Sequence, residues 1–124
     1  MKPRTLLAVA FGGLFGGLAR AESMQIFASL GFEMTILFIN LVGCALVAYF
    51  LGSVRYRFAE VQWNEVVRPF FVTGILGGFT TTSAFAYIVA SNAQENQIFA
   101  FVYGLASIVA GSKIYEFVFK KVSP

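Results

Sequence analysis

Four long apolar stretches, separated by short polar linkers, constrain this chain more than any other feature of its sequence. They run from about residue 5 to 21, 34 to 54, 67 to 90 and 97 to 119. A helix needs roughly 20 mostly apolar residues to cross the hydrocarbon core of a bilayer. Helices are the plausible spanning form, because so short a chain offers too few strands for a closed barrel. The pattern therefore predicts an all-α integral membrane protein with four transmembrane helices.

The composition agrees with a membrane environment. Of the 124 residues, 58% are hydrophobic and only 12% are charged, whereas about a quarter of a typical soluble chain is charged. Four spans leave no room for a separate soluble domain, so we expect residues 1–124 to form a single four-span membrane domain. A bundle of this size is too small to enclose a wide pore alone, and function is expected to require a second subunit.

Histidine is absent from the sequence, and Cys44 is its single cysteine. These counts exclude disulfide scaffolds, His/Cys zinc sites and haem ligation within one chain. Cys44 falls in the second apolar stretch, where a small buried residue is the simplest interpretation.

The basic residues predict an orientation. With four spans, both termini and the second linker share one side of the membrane, and eight of the nine basic residues fall there. Arg20, at the far end of the first span, is the exception. The positive-inside rule therefore predicts a multi-pass protein of the plasma (inner) membrane with both termini in the cytoplasm.

The third stretch carries the most informative segment. Gly77 and Gly78 weaken a helix, and the hydroxyl-bearing residues Thr80, Thr81, Thr82 and Ser83 follow within a few positions. At membrane depth, non-helical backbone is tolerated only where it is buried in protein or lines a cavity. A third helix broken at mid-membrane would expose carbonyls for a cation and hydroxyls for an anion. The alternative is a kinked helix whose hydroxyls bond back to their own carbonyls.

Other polar residues lie within the predicted spans. Asn40 is either a hydrogen-bonding contact between helices or a donor aimed at an anion. Arg20 either extends to the interface or places a positive charge at a channel vestibule. Tyr103 and Ser107, four residues apart, share one face of the fourth helix and would extend a polar track.

The polar groups within the spans are mostly hydrogen-bond donors. No Asp or Glu lies in the middle of any apolar stretch, although proton-coupled exporters usually need such a carboxylate. An interior rich in donors and free of carboxylates suits an anion. Phe79 and Phe85, which flank the hydroxyl-rich segment, would contribute ring edges that carry partial positive charge.

These residues, taken in order, resemble the Fluc (CrcB) family of fluoride channels. The resemblance covers essentially the whole chain and rests on one motif in each of the first three spans: Gly12-Gly13-x-x-Gly16-x-x-x-Arg20, Asn40-x-x-Gly43, and Gly74-x-x-Gly77-Gly-Phe-Thr-Thr81…Ser83…Phe85. It implies a passive, fluoride-selective channel that lowers cytoplasmic fluoride, not an enzyme.

The resemblance also implies an antiparallel, dual-topology dimer with two narrow pores along the subunit interface. It implies a central structural Na⁺ held by the backbone carbonyls of Gly77 and Thr80, and it makes Arg20 the vestibule arginine. The fluoride pathway that we expect on this basis comprises Asn40, Thr81, Thr82, Ser83, Phe85, Tyr103 and Ser107.

Two departures from the family pattern affect the expected pore. The pattern reads Thr-Thr-Phe-Ser-Thr-Phe, whereas this chain reads Thr-Thr-Thr-Ser-Ala-Phe from Thr80 to Phe85. Thr82 therefore replaces the first phenylalanine, Ala84 replaces a threonine, and Ile88 occupies the place of a common carboxylate. One of the two pores is expected to be altered.

The charge bias and Thr82 together predict a heterodimer. An antiparallel homodimer needs one chain to insert in both directions, and the basic residues here oppose that. The expected partner is a homologous chain with the reverse bias that keeps the missing phenylalanine.

Two rival functions remain. One is a small multidrug-resistance-type transporter, which needs a glutamate within the first span. The other is a non-conducting structural subunit of a membrane complex.

Overall fold

The protein is a bundle of long helices in the computed structural model, which describes residues 2–124. Within that range, no residue lies in a β-strand, and four helices are long and apolar enough to cross a membrane. The labels used below are α1 (Pro3–Ile26), α2 (Phe32–Gly52), α3 (residues 60–79), α4 (Thr82–Glu95) and α5 (Gln97–Val122). Helices α3 and α4 together form the third span.

The helices extend past the apolar stretches that define them in the sequence. Helix α1 continues to Ile26, and α5 continues to Val122, so both include polar residues at their ends. Backbone hydrogen bonds within a helix do not depend on lipid, and these last turns can continue into the interfacial region. Between α1 and α2 the chain turns at Gly31, whose φ of 89° favours glycine.

Helix α3 is wider than an α-helix over most of its length. Trp63–Val67 and Pro69–Leu76 are π-helical, and only the short segments Glu60–Gln62 and Gly77–Phe79 are α-helical. Such widened turns are rare and are frequently found at functional sites. Pro69 has no N–H, which removes one hydrogen bond that would hold the chain to α-helical spacing.

Helices α1 and α3 pack through a glycine seam, formed by Gly12 and Gly16 on α1 and Gly74 and Gly78 on α3. A Cβ on Gly12 would lie 2.9 Å from Gly74 Cα and would also collide with the Phe70 carbonyl. A Cβ on Gly16 would collide with the Ile75 carbonyl, and one on Gly78 would lie 2.8 Å from the Gly13 carbonyl oxygen. Only glycine permits this approach of two backbones, which is typical of helix packing in lipid.

The other half of the bundle packs through side chains. Helix α2 lies against α5, and α4 also packs on α5. A small core forms there around Ile36, Ile88 and Tyr103. Elsewhere large apolar side chains are exposed, for example Ile98 and Phe101, which are 78% and 70% accessible. In a membrane protein such surfaces face lipid tails or another subunit.

Candidate functional site

Two extended residues interrupt the third span. Thr80 has φ −77° and ψ 158°, and Thr81 has φ −144° and ψ 109°, whereas helical residues precede and follow them. The sequence places the weak point at the glycine pair, but Gly77 and Gly78 are both helical. Gly78 is held against α1 by the glycine seam. The helix ends at Phe79, one residue after Gly78, and the N–H and the hydroxyl of Thr80 both donate to the Leu76 carbonyl, at 2.9 and 2.8 Å.

Asn40 on α2 bonds to this extended segment through both ends of its side-chain amide. Its Oδ1 accepts from the Thr81 N–H at 2.9 Å, and its Nδ2 donates to the Thr81 carbonyl at 3.2 Å. The side chain thus supplies the partners that a neighbouring strand would give to an extended residue. Because Nδ2 carries two hydrogens, one donor remains after the Thr81 carbonyl is satisfied.

The interruption deprives the carbonyls of Gly77 and Thr80 of their usual helical donors. In a continuous helix, the Gly77 carbonyl would accept from the N–H of residue 81, and the Thr80 carbonyl from that of residue 84. Here the Thr81 N–H donates to Asn40, and the Ala84 N–H donates to the Thr81 hydroxyl at 3.1 Å. These are the two carbonyls that the resemblance to the Fluc (CrcB) family implies as Na⁺ ligands. Neutral carbonyl oxygens are suitable ligands for a hard cation.

A cavity of about 350 Å³ lies beside the interruption, between α2, α4 and α5. Five of the sequence-predicted site residues line it: Asn40, Thr80, Thr82, Phe85 and Ser107. None of its lining residues is acidic, and the remaining lining residues are Gly43, Cys44, Val47, Ile108 and Tyr115. The cavity is therefore mostly apolar, with an amide and a few hydroxyls as its polar groups.

The hydroxyls around the cavity differ in their hydrogen bonding. Those of Thr80 and Ser107 donate to carbonyls of their own helices, Leu76 and Tyr103, at 2.8 and 2.7 Å. This is the back-bonding that the sequence leaves open as an alternative. Either hydroxyl would have to rotate before it could donate to an anion. Asn40, by contrast, has a donor available without any rearrangement.

The remaining candidates lie near the cavity or away from it. Tyr103 is buried, donates to the Glu33 carbonyl at 2.8 Å, and stacks on Phe85 with ring centres 6.1 Å apart. Ser83 is exposed, with its hydroxyl 3.3 Å from that of Thr81. Arg20 is half-buried on α1 and does not line the cavity.

Sequence reasoning missed Tyr115 and gave Cys44 only a packing role, although both line the cavity. A signal for Tyr115 is present in the fourth helix. Tyr103, Ser107, Gly111 and Tyr115 recur every four residues, which keeps them on one slowly turning stripe. Gly111 allows the close approach of α5 to α2, since a Cβ there would lie 3.1 Å from Cys44 Sγ.

Comparison with known proteins identifies relatives along most of the chain. The family model described as CrcB-like protein, Camphor Resistance (CrcB), matches residues 7–117. The fluoride-specific ion channel FluC 2 of Staphylococcus haemolyticus is 35% identical over 106 residues, which cover 85% of each chain. FluC of Aquifex aeolicus is 32% identical over 110 residues, or 86% of each chain. FluC 2 of Streptomyces avermitilis is 41% identical over 80 residues, which span 63% of this chain and about half, 49%, of that protein.

Proposed function

The chain belongs to the CrcB family, and we propose on that premise that it is a subunit of a fluoride channel. The channel lets cytoplasmic fluoride leave the cell passively, down its gradient. The relatives named as fluoride-specific ion channels support this proposal, as do the four apolar helices. The carrying observation within the chain is the cavity beside the interrupted span, which presents an available amide donor and no carboxylate.

Asn40 has two roles in this proposal. One half of its amide holds the Thr81 backbone in its extended form, and the remaining Nδ2 hydrogen donates to fluoride as it sheds water. Phe85 and the hydroxyls of Thr82 and Ser107 line the same cavity. Thr81, Ser83 and Tyr103 complete the proposed pathway, and Arg20 contributes a positive charge at its entrance.

The decisive substitution is Asn40→Asp. Aspartate cannot donate to the Thr81 carbonyl, and its charge repels an anion in a mostly apolar cavity. We expect fluoride efflux from liposomes to be abolished. Asn92→Asp is a matched control, since Asn92 also donates its amide to a backbone carbonyl in this span, that of Ile88, at 2.8 Å. It lies outside the cavity, so the control should keep most of the flux. Flux near the native rate in assembled Asn40→Asp protein would refute the role of Asn40.

The proposed assembly is an antiparallel dimer with a structural Na⁺ at its interface, in the middle of the membrane. The carbonyls of Gly77 and Thr80, released from their helical donors, would hold this ion, and two subunits would supply four ligands. In residues 2–124, no group of three or more His, Cys, Asp or Glu side chains could hold a metal. Backbone ligands therefore fit the chemistry of the chain. A structure of the dimer without central cation density would refute the ion site.

We further propose that the native dimer pairs this chain with a homologous one. Eight basic residues on one side oppose insertion in the reverse orientation. Thr82, which lines the cavity, is smaller than the phenylalanine that the family pattern has at this position. The partner would insert with both termini outside and would keep that phenylalanine. This chain would have its own termini in the cytoplasm.

The test expresses this chain alone, with a tag at the C-terminus whose accessibility is measured from each side of the membrane. We expect labelling from the cytoplasmic side and low fluoride flux, with flux restored by co-expression of the partner. Labelling from both sides, together with full flux from the chain alone, would show that the homodimer is the native form.

Thr82→Phe in the lone chain should raise its flux if the missing ring limits conduction. Absence of flux with every partner would favour a structural subunit.

A further inference from the structure

A second polar cavity lies at the end of the bundle where the basic residues gather. It has a volume of about 350 Å³ and lies where the turn after α2 meets α3 and the last turns of α5. Its polar lining includes Arg55, Asn64 and Arg68. A smaller cavity of about 300 Å³ adjoins it and shares Arg55 and Trp63. None of these residues lines the cavity beside the interrupted span, and within residues 2–124 Tyr115 is the one residue that lines both that cavity and the larger cavity described here.

The two arginines of this cavity come from different elements and have no acidic partner. Arg55 lies in the turn Val54–Arg57, and Arg68 lies in α3. Over residues 2–124, the ion pairs are Lys2–Glu65, Arg4–Glu65 and Lys113–Glu116, so neither arginine takes part in one. Glu60 lines the smaller cavity together with Arg55, and no acidic residue in the described part of the chain lines the larger one. The larger cavity therefore carries a net positive charge.

The walls of the cavity are suited to a ligand with both polar and apolar parts. Asn64 and the ring N–H of Trp63 are hydrogen-bond donors. Tyr115 and Phe119 form an aromatic wall, with stacked rings 5.7 Å apart and only 13° from parallel. Guanidinium groups bind phosphate oxygens in a bidentate manner, and a flat aromatic wall packs against the carbon skeleton that carries the phosphate.

The position of the cavity argues for a lipid as the source of that phosphate. It opens at the end of the membrane-spanning helices, close to the chain termini with Lys120 and Lys121. Headgroup phosphates lie at this level, and basic pockets between transmembrane helices bind anionic headgroups. We propose that this cavity, with Arg55 and Arg68 as its charged residues, binds the phosphate headgroup of an anionic phospholipid.

The experiment measures lipid binding to the full-length protein in its assembled form. Native mass spectrometry in detergent counts bound phosphatidylglycerol, and thermal unfolding follows its stabilising effect. We expect phosphatidylglycerol to bind and to raise the unfolding temperature, whereas phosphatidylcholine and inorganic phosphate do not. Arg55→Gln combined with Arg68→Gln should weaken phosphatidylglycerol binding roughly 10- to 30-fold, because it removes the charge-assisted hydrogen bonds between the guanidinium groups and the headgroup phosphate.

The matched control removes the same charge from the same end of the bundle. Arg57→Gln combined with Lys120→Gln changes two exposed residues that line neither cavity, and it should weaken binding less than threefold. Equal weakening by both double variants would overturn the proposal in favour of general surface charge. Stabilisation by inorganic phosphate equal to that by phosphatidylglycerol would overturn it in favour of a soluble ligand. Because mass spectrometry counts lipid directly, a loss of stability in a variant does not obscure the result.

Discussion

Two consecutive parts of the third span satisfy their backbone hydrogen bonds in different ways. Residues 60–79 lie against α1 along the glycine seam, backbone on backbone, with their hydrogen bonds kept inside a widened helix. Thr80 and Thr81, directly after them, leave the helix, and Asn40 on α2 satisfies the Thr81 backbone. The first part packs tightly against α1 because the seam glycines have no side chains. The second part stays extended because the Asn40 side chain hydrogen-bonds to its backbone.

This difference shows what glycine does in each place. In the seam, glycine is required because a Cβ would collide with backbone atoms that cannot move aside. At the interruption, glycine is not the residue that leaves the helix, and threonine adopts the extended backbone. Fixed backbone contacts thus determine where the helix continues, and hydrogen-bonding partners determine where it stops.

The largest effect is expected from a bulky residue in the seam. Gly16→Leu would force a Cβ into the Ile75 carbonyl, which is backbone and cannot relax. We expect a loss of at least about 1–3 kcal/mol in the free energy of unfolding, seen as a failure to purify monodisperse protein. Gly17→Leu is the control, since nothing lies within 4 Å of a Cβ there. Equal damage by both would show that the seam is not a tight contact.

The adjacent glycines Gly77 and Gly78 should respond differently to alanine. A Cβ on Gly78 would lie 2.8 Å from the Gly13 carbonyl oxygen, whereas one on Gly77 would meet only the Val72 carbonyl, at 3.9 Å. Gly78→Ala should therefore destabilise the single chain by about 1–3 kcal/mol.

Gly77→Ala should leave the single chain folded and act only through the dimer. We expect native helix content by circular dichroism and a lower dimer fraction in cross-linking, if this residue lies at the subunit interface. An unchanged dimer fraction would remove Gly77 from the interface, and a misfolded chain would contradict the space seen around it.

At the contact between Gly43 and Thr80, beside the cavity, we expect an intermediate loss of stability that a second substitution can restore. A Cβ on Gly43 would collide with the Thr80 side-chain methyl, which serine at position 80 would lack. Gly43→Ala should cost about 1 kcal/mol, and adding Thr80→Ser should recover most of it, as a positive coupling in a double-mutant cycle. Additive effects, with no recovery, would mean that the two residues do not touch in the folded protein.

The smallest effect is expected at Ser107. Its hydroxyl donates to the Tyr103 carbonyl, so Ser107→Ala removes a local bond and leaves no buried group without a partner. We expect fluoride flux to change by less than about fivefold, since a net hydrogen bond contributes only about 1 kcal/mol or less in this setting. A loss as large as that of Asn40→Asp would make Ser107 a direct ligand of the anion.

Much of the fold could be predicted from the sequence, because hydrophobicity alone identifies the membrane spans. The four apolar stretches correspond to four helices long and apolar enough to span a membrane. The π-helical turns of α3 were not predicted, because a proline such as Pro69 removes a hydrogen bond without specifying how the helix rearranges around it. The extended residues Thr80 and Thr81 lie within the segment flanked by Phe79 and Phe85 where a break was expected, but the glycine pair that was expected to weaken the helix remains helical. Gly78 is held in the helix by α1, a tertiary contact that overrides local propensity.

The candidate site was predicted only in part, because residue type can be read from the sequence but the contacts between distant segments cannot. Residue type identified Asn40 and Ser107, which line the cavity. It could not show that Thr81 faces the Asn40 amide with its backbone, or that Tyr103 is engaged by the Glu33 carbonyl. Tyr115 was missed because a tyrosine near a helix end resembles an ordinary interfacial residue.

The glycine seam has a mechanical consequence. Glycine has no side-chain torsion angles, so the seam contains no rotamers that could absorb a displacement between α1 and α3. The two helices should therefore move together as one rigid unit. The extended pair Thr80–Thr81 would act as the hinge between that unit and α4. A displacement of α1 would then move the Gly77 carbonyl by almost the same distance. The Gly77 carbonyl, proposed above as an ion ligand, and the outer face of α1 would then be coupled by stiffness, without any chain of polar contacts between them.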